Sequence, residues 1–375
     1  MKLIVHLKFT MGIKMIYANT ASIGRLSETT REEVSNFVNA YLKNDFYIDD
    51  YKIANEKKEQ CRQIISQLFG NTFSSVLFFS STTDALSILL SQLKLKKGSV
   101  IALPNNYFPS IEAIKLSFEK KNYELIEIGS SKGEINVDDL KNKKIDFLLI
   151  EWVNYWSGSK NNLKKLSQWC LKNNVIFAVD AVQGVGCCEI DFDIHEIDFF
   201  ISAGHKWLRA LEGSAFAIVS QRVSAYLEQI IYGYNSFSDK NNFDKKGREI
   251  ETSLLRFELG TLSTVSFVSL FHAISELLEN DHLKIAKKIR ENSFALTDFL
   301  LGYGAIVHSP FNERDCTGIV SFTLPNIEPL EIYNRLLEFG VITKVRNDRI
   351  RVSPDITVDI NELIQRIGLC LKGFL

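Results

Sequence analysis

The sequence predicts an α/β protein in which a mainly parallel sheet is covered by helices and is followed by a small α+β unit. Between about Val76 and Val219, short apolar runs alternate with amphipathic helical stretches. Strands without polar positions are typical of a parallel sheet that is buried on both faces. From Asp281 onward, strands and helices mix over only 95 residues, which is typical of a compact α+β fold.

The elements of the first unit are predicted from apolar runs that are each bounded by a turn or followed by a stretch of helical periodicity. In chain order these are VLFF and DALSILLSQLKLKK, SVIALP and SIEAIKLSFEKK, FLLIEWV and NLKKLSQWCLKN, then VIFAVD, FFISA and AFAIV. After a polar stretch from Ser236 to Glu251, apolar periodicity predicts a long helix from about Val265 to Leu278.

The second unit is predicted from a different order of elements. They are the helix HLKIAKKIRENSFALTDFLLGYG, the strand GIVSFTL, the helix PLEIYNRLLEFG, the strands VITKV and RIRVS, and the helix INELIQRIGLCLKGF. We therefore divide the chain into an N-terminal extension (residues 1–16), a large domain (residues 17–280) and a small C-terminal domain (residues 281–375). Because Met11 and Met15 follow the first methionine closely, the leading segment is interpreted as an extension or a misplaced start.

Composition and charge leave small molecules as the expected partners. Apolar residues make up 46% and charged residues 24%, which is ordinary for a soluble globular protein. The 44 basic and 45 acidic residues are interspersed, so no basic face for nucleic acid or an anionic membrane is expected. Six cysteines without a CxxC pair predict buried, reduced thiols. Without a signal peptide or an apolar run of about 18 residues, we expect a cytoplasmic protein.

Polar side chains follow three predicted strands, at the sheet edge where ligands bind in parallel sheets. VIFAVD ends on Asp180 and is followed by Gln183, and a carboxylate in this place suits a protonated heterocyclic nitrogen. Lys206 follows FFISA, where burial lowers the pKa of an amine and makes it a Schiff-base nucleophile. Thr82 and Thr83 open a helix, where hydroxyls and free amides can hold a phosphate. Each feature alone has a plainer interpretation as a helix cap or a solvated amine, but the pairing of Lys206 with Asp180 favours a site.

Two stretches, AVDAVQGVG and SAGHKWL, give the sequence a resemblance to the class V aminotransferase family in their order and spacing. The resemblance runs from YANTASIG at Tyr17 to RVSP at Arg351. This family of fold-type-I pyridoxal-phosphate (PLP) enzymes includes cysteine desulfurases, selenocysteine lyases, kynureninases and isopenicillin epimerases. The resemblance implies the fold-type-I architecture, PLP as the cofactor and an amino acid as the substrate.

The resemblance also implies roles for individual residues of the large domain. Lys206 would carry the Schiff base, Asp180 would pair with the pyridinium nitrogen, and Gln183 would bind the phenolic oxygen. The remaining cofactor contacts are expected from Asn154 as a further ring partner, Thr82 and Thr83 at the phosphate, His205 at the phosphate or the strand end, and Phe108 stacked on the ring, with Tyr107 as its near alternative.

Two further residues extend the expected site beyond the large sheet. Thr261 in RFELGT resembles a threonine that reaches the phosphate of the neighbouring subunit, which implies a homodimer with active sites at the interface. Arg351 in RIRVSP resembles the arginine that holds the substrate carboxylate, a task that suits a guanidinium group. Arg346 and Arg349 are interpreted as surface charges. No metal site is predicted.

Two departures from the family pattern bear on the expected chemistry, and a third, Ala210-Leu211 in place of the usual Gly-Pro, affects the loop after the lysine. The hydroxyl that many relatives carry three residues before the lysine is replaced by Ala203, and alternation along the strand could point the neighbouring Ser202 away. The stretch VITKVRNDRI lacks the nucleophilic cysteine that desulfurases place before the arginine, and Cys316 lies a whole strand earlier. This absence counts against a persulfide mechanism.

The expected function is therefore transamination of an amino acid, with Lys206 moving the α-proton. Beta-elimination of a cysteine-like substrate is the nearest alternative, followed by epimerisation and kynureninase-like cleavage. A PLP-binding partner protein without catalysis is disfavoured because Asp180, Lys206 and Arg351 are all retained. A nucleotide-binding fingerprint in QGVGCC is weak because the third glycine is absent.

Overall fold

The computed structural model describes residues 14–43, 50–70, 75–239 and 247–374, so most of the predicted extension lies outside the described residues. The strands are β1 (Ile16–Tyr17), β2 (Ser75–Phe79), β3 (Val100–Pro104), β4 (Glu124–Ile128), β5 (Phe147–Glu151), β6 (Ile176–Asp180), β7 (Phe199–Ala203), β8 (Ala215–Val219), β9 (Ile306–Val307), β10 (Val320–Thr323), β11 (Val341–Ile342), β12 (Lys344–Arg346) and β13 (Arg349–Val352). The helices are α1 (Glu28–Leu42), α2 (Asp50–Leu68), α3 (Thr82–Ser91), α4 (Pro109–Lys120), α5 (Val137–Leu140), α6 (Leu163–Lys172), α7 (Thr264–Glu279), α8 (His282–Gly302), α9 (Pro329–Glu338) and α10 (Ile360–Leu371).

The larger sheet has the strand order β2-β8-β7-β6-β5-β3-β4, and β8 alone runs antiparallel to its neighbours. The prediction of a mainly parallel sheet is confirmed. Strand β4 was not predicted. Its sequence ELIEI places two exposed glutamates among apolar residues at the sheet edge, and only Ile128 is buried, so it lacks the continuous apolar run of a central strand.

The central strands are mostly apolar because both faces of the sheet are covered. In β6, Phe177 and Val179 pack in the core on one face, and Ile176 and Ala178 pack in the core on the other. Successive side chains of a strand point to opposite faces, so a five-residue apolar run serves two cores at once. Full burial of a valine, isoleucine or phenylalanine side chain stabilises the fold by about 1.5–3 kcal/mol.

The smaller sheet is antiparallel, with the order β12-β13-β10-β9, and its core includes Leu296, Phe322 and Leu363. The predicted strand VITKV is divided in two: β11 pairs with β1, and β12 forms a hairpin with β13. Strands β1 and β11 thus form a separate two-stranded parallel sheet, which joins the N-terminal segment to the C-terminal part of the chain. The boundary between domains at residues 280 and 281 stays a prediction.

The carboxyl ends of the strands in the large sheet lie next to the hairpin β12–β13 of the small sheet. Glu151 and Asp180 are the last residues of β5 and β6, and Lys206 follows β7 by three residues. The hairpin β12–β13 turns through Asn347 and Asp348, both at positive φ (47° and 55°), as a two-residue type I′ turn requires. In the part of the chain that the structure describes, no helix combines the length and the apolar character needed to span a bilayer.

Candidate active site

A pocket of about 530 Å³ lies between these elements, within the roughly 300–1,000 Å³ typical of small-molecule sites. Its walls come from the strand ends of the large sheet, the N-terminal segment and the hairpin β12–β13. The lining side chains that carry polar or aromatic groups are Tyr17, Asn19, Ser22, Ser81, Thr82, Thr83, Phe108, Ser110, Tyr155, Asp180, Gln183, His205, Lys206, Glu212, Lys344, Arg346 and Arg351.

Lys206 lies in this pocket with its amine 5.6 Å from the centroid of the Phe108 ring. Burial lowers the pKa of Lys206 to about 8, and the positive charge of Arg351 adds to this effect, while Asp180 opposes it. Roughly a tenth of the lysine is therefore the free amine at neutral pH, far more than for a solvated lysine. An amine in this state can act as a nucleophile and as a base.

Asp180 is buried at the end of β6, and its Oδ1 accepts a hydrogen bond from the Val182 amide at 3.1 Å. Burial raises the pKa of this carboxyl, and the Lys206 ammonium opposes the rise. A buried carboxylate next to an amine can hold a second cation, such as a protonated ring nitrogen, more strongly than a solvated one can.

Gln183 is anchored at both ends of its amide. Its Nε2 donates to the carbonyl of Ala21 at 2.8 Å, and its Oε1 accepts from the Trp207 indole at 2.9 Å. A carboxamide nitrogen carries two hydrogens, so one donor is left for a ligand in the pocket that Gln183 lines.

The start of α3 supplies the hydroxyls predicted for a phosphate. Ser81 caps the helix, because its Oγ accepts from the Asp84 amide at 3.1 Å. Thr82 Oγ1 is buried and finds no hydrogen-bond partner among the described residues, and Thr83 lies beside it in the lining. Leaving such a hydroxyl unpaired costs about 1–3 kcal/mol, so the site fits a ligand oxygen. Ser202 Oγ is also buried and unpaired in the described structure, but Ser202 does not line the pocket.

His205 lines the pocket next to the lysine, and its own carbonyl accepts from the amide of Gly24 at 2.7 Å. Burial lowers the pKa of the imidazole to about 4, and the neighbouring Lys206 charge adds to the effect. His205 is therefore neutral near pH 7 and can offer a hydrogen bond but no charge to a phosphate.

Arg351 is 1% exposed, lies on β13 and lines the pocket from the side of the small sheet. Its Nη1 donates to the carbonyl of Tyr155 at 2.7 Å and its Nη2 to Ser22 Oγ at 2.6 Å, while Nε has no partner among the described residues. Burial lowers the pKa of Arg351 to about 9, and Arg346 adds to this. The guanidinium thus has a free donor for a carboxylate.

Of the two aromatic residues Tyr107 and Phe108, it is Phe108 that lines the pocket. Phe108 lines the cavity and packs edge-on against Tyr155 at 5.4 Å between ring centroids. The Tyr107 hydroxyl instead donates to Glu112 at 2.5 Å, and the side chain packs on the core of the large sheet. Of the two positions left open by the sequence, the structure brings Phe108 to the site.

Two predicted site residues lie outside the lining. The Asn154 side chain is fully buried and donates to Glu151 Oε2 at 2.9 Å and to the Asn106 carbonyl at 3.2 Å. Thr261 is exposed and borders a separate small cavity beside α2. Within a single chain, neither is brought to the pocket that holds Lys206.

Several residues of the site were missed by the sequence. The interpretation of Arg346 as a surface charge is wrong, because Arg346 is partly buried and lines the pocket together with Lys344. Glu151 lies in the predicted strand FLLIEWV, and the sequence predicts no role for it at the site. It is buried beside the pocket and holds the Phe108 amide at 2.9 Å. A carboxylate at the end of an otherwise apolar run was the available signal.

The pocket fits pyridoxal phosphate on the chemistry of its donors. That cofactor offers a protonatable ring nitrogen, a phenolic oxygen, an aldehyde and a phosphate. The pocket offers a buried carboxylate in Asp180, an available amide hydrogen in Gln183, a partly deprotonated amine in Lys206 and an unpaired hydroxyl in Thr82. Phe108 adds an aromatic face within reach of the amine.

Comparisons with known proteins agree with this chemistry. The sequence model of the family described as aminotransferase class-V matches residues 49–345. A probable cysteine desulfurase of Methanothermobacter thermautotrophicus is 22% identical over 289 residues, which are 74% of this chain and 70% of the relative.

Two solved structures show the same fold. An apo cysteine desulfurase of Thermococcus onnurineus superposes with a TM-score of 0.84 at 18% identity, over 96% of this chain and 94% of the other. A cystine C-S lyase in complex with its product cysteine persulfide superposes with a TM-score of 0.84 at 19% identity, over 95% of this chain and 97% of the other.

Proposed function

The chain belongs to the class V aminotransferase family of pyridoxal-phosphate enzymes, and we propose that it transaminates an amino acid in the pocket around Lys206. The observation that carries the proposal is the meeting of Lys206, Asp180 and Arg351 in one pocket. These residues come from two sheets and are far apart in the sequence. Together they supply an amine, an anion for the cofactor ring and a cation for a substrate carboxylate.

The cofactor would be held by the residues that the pocket brings together. Asp180 would pair with the ring nitrogen, Gln183 would donate to the phenolic oxygen, and Phe108 would cover the ring. Thr82 and Thr83, at the start of α3, would bind the phosphate, with help from the dipole of that helix. Pyridoxal phosphate, when bound, supplies the electron sink that stabilises negative charge at the substrate α-carbon.

Lys206 would move the α-proton. Its lowered pKa of about 8 leaves part of the amine free to accept a proton near neutral pH, and the resulting ammonium can return it. Arg351 would hold the substrate carboxylate through its free Nε and its Nη groups, and so orient the α-carbon toward Lys206. The hydrogen bonds of Arg351 to Tyr155 and Ser22 fix the guanidinium in advance, which favours binding.

Transamination needs the fewest catalytic groups from the described residues. It needs one base that removes and returns a proton, and Lys206 supplies it. A persulfide mechanism needs a cysteine nucleophile, and no cysteine is among the described lining residues. The hairpin β12–β13 connects its strands through two residues only, which leaves no loop for such a cysteine.

A second candidate is beta-elimination that cleaves a carbon–sulfur bond. The names of the relatives favour it, because one is a probable cysteine desulfurase and one a cystine C-S lyase. Such a reaction would use the same Lys206 to remove the α-proton and would differ in releasing a sulfur leaving group. The two candidates are distinguished by their products.

We also propose that the enzyme is a cytoplasmic homodimer. Thr261 supports the dimer, because it is exposed and lies away from the pocket of its own chain, as a residue that serves the partner's site would. The six buried free cysteines suit a reducing compartment.

The test starts from the visible absorbance of protein-bound cofactor. Purified protein with added PLP should show this absorbance, and Lys206→Ala should lose it. A panel of amino acids is then screened for a spectral response and the products are analysed. Transamination should give an oxo acid without free ammonia, and further turnover only when a second oxo acid is added. Sulfide with ammonia would support elimination, and a colourless protein that does not respond to PLP would contradict both.

A further inference from the structure

The hairpin β12–β13 presents three cations to the pocket. Lys344 and Arg346 are two residues apart on β12, and Arg351 lies directly opposite Lys344 on β13. Because side chains alternate along strands, these three lie on one face of the hairpin. Val345 and Ile350 lie on the other face and pack in the core of the small sheet. The three cations all line the cavity that contains Lys206.

Within the described part of the chain, these cations have no carboxylate counter-ion. Over residues 14–43, 50–70, 75–239 and 247–374, none of the three forms an ion pair with a carboxylate. Arg351 donates to two neutral oxygens, those of Tyr155 and Ser22. Arg346 Nη1 donates at 3.3 Å to the carbonyl of its neighbour Val345. The positive charges of Lys344, Arg346 and Arg351 are therefore available to an anionic ligand in the pocket.

Clustering the cations carries a cost when the pocket holds no anion. Like charges directly opposite each other on paired strands are destabilising, which applies to Lys344 and Arg351. The charge of Arg346 also adds to burial in lowering the pKa of Arg351. Asp180 and Glu212 line the same pocket, but they come from the large sheet and its loops and pair with none of the three. A ligand with more than one negative charge would relieve the repulsion.

The proposed function accounts for two anions only. The substrate α-carboxylate takes Arg351, and the phosphate takes the start of α3 with Thr82. We propose that Lys344 and Arg346 bind a second acidic group, on the substrate side chain, so that the enzyme acts on acidic amino acids. This inference rests on the proposed function, because that function places the α-carboxylate on Arg351 and leaves the other two cations unassigned.

The experiment compares acids with their amides, which differ in charge but hardly in shape. Dissociation constants of aspartate, asparagine, glutamate and glutamine are measured on the PLP-loaded protein by calorimetry and by the change in cofactor absorbance. We expect one acid to bind at least roughly tenfold more tightly than its amide. Lys344→Gln and Arg346→Gln should each reduce this ratio, and the double variant should bring it near one with the affinity for the amide unchanged.

Arg349 offers a matched control on the same hairpin face. Its guanidinium lies 4.5 Å above the Trp156 ring, and it does not line the pocket. Arg349→Gln removes one cation from the hairpin and should keep the preference for the acid. Circular dichroism and cofactor content show whether each variant is folded.

Three results would overturn the inference. Equal affinity of the native protein for both acids and their amides would do so, as would a preference that survives in the double variant. Loss of PLP affinity in the double variant would assign Lys344 and Arg346 to the phosphate instead. If amino acids bind without any preference, the proposed function stands; if none binds to the loaded protein, both proposals fail.

Discussion

Glu151 and Asp180 are paired in register at the carboxyl ends of the adjacent parallel strands β5 and β6, so two buried carboxyl groups end side by side beneath one pocket. Burial, and then the charge of Asp180, raise the pKa of Glu151 to about 8. Asp180 lines the pocket, whereas Glu151 accepts hydrogen bonds from the Phe108 amide and from the Asn154 side chain. Asp180 is thus available to a ligand in the cavity, whereas Glu151 stabilises the wall that carries Phe108.

The first prediction concerns the pH dependence of covalent cofactor capture by Lys206. Only the free amine attacks an aldehyde, and the pKa of this amine is lowered to about 8. The second-order rate constant for PLP binding to the apo-protein should therefore rise with pH up to about 8 and then level off, falling about tenfold per unit well below that pH. Stopped-flow absorbance measures it. A rate that keeps rising toward pH 10 would show a solvated lysine.

A second prediction follows for Glu151→Gln. The pKa values of Glu151 and Lys206 are both about 8, so Glu151 is partly ionised where Lys206 titrates, and its negative charge then raises the pKa of Lys206. A glutamine removes that charge while it can still accept from the Phe108 amide. We expect the pH profile of cofactor capture to move to lower pH with the protein still folded. An unchanged profile would mean that Glu151 is already neutral when Lys206 titrates. Glu112→Gln, on the Tyr107 hydroxyl outside the pocket, is the control.

A third prediction concerns the unpaired hydroxyl of Thr82. Thr82→Val keeps the shape and removes Oγ1, so the affinity for PLP should fall roughly tenfold through loss of one phosphate hydrogen bond. The affinity for pyridoxal, which has no phosphate, should not change. Ser202→Ala removes another buried unpaired hydroxyl that lies outside the lining and should leave both affinities as they are. Equal losses for PLP and pyridoxal in Thr82→Val would remove the phosphate role.

The fourth prediction concerns Arg351. Arg351→Ala should weaken amino-acid binding by roughly ten- to a hundredfold, because a hydrogen-bonded charge contributes about 1.5–3 kcal/mol, while PLP content stays near that of the native protein. Arg351→Lys should restore little of the loss, because an ammonium cannot form two parallel bonds to a carboxylate. Titration followed by cofactor absorbance measures both. Unchanged affinity in Arg351→Ala would take this residue out of the site.

The sequence predicted the parts of the fold and of the pocket that depend on local patterns. The apolar central strands and the polar residues that follow them are encoded within a few positions, and Asp180, Gln183, Thr82 and Lys206 meet as expected at one edge of the sheet. Strand β1 was missed because two residues carry no periodicity and are fixed only by pairing with Val341–Ile342, more than 300 positions away.

The missed site residues depend on register between distant segments. Arg346 looks like a surface charge in the sequence, and only the pairing of β12 with β13 aligns its face with Arg351. Asn154 has the residue type expected of a ring partner, but local bonds to Glu151 and to the Trp156 and Ser157 amides take up its side chain. No pattern within the sequence predicts how such a polar network is satisfied.

The parallel pairing of β1 with β11 has a mechanical consequence. Beyond β1 the chain stays bonded to the small sheet, because the Thr20 amide donates to the Ser353 carbonyl and the Ser353 amide to the Ala18 carbonyl. Ser22, two residues beyond Thr20, accepts a hydrogen bond from Arg351 through its Oγ. The N-terminal segment is also bonded to the large sheet side, because the Ala21 carbonyl accepts from Gln183 and the Gly24 amide donates to His205. Any tilt of one sheet against the other would therefore strain the segment that holds Ser22 against Arg351, which couples the grip on a substrate carboxylate to the position of the strand end that carries Lys206.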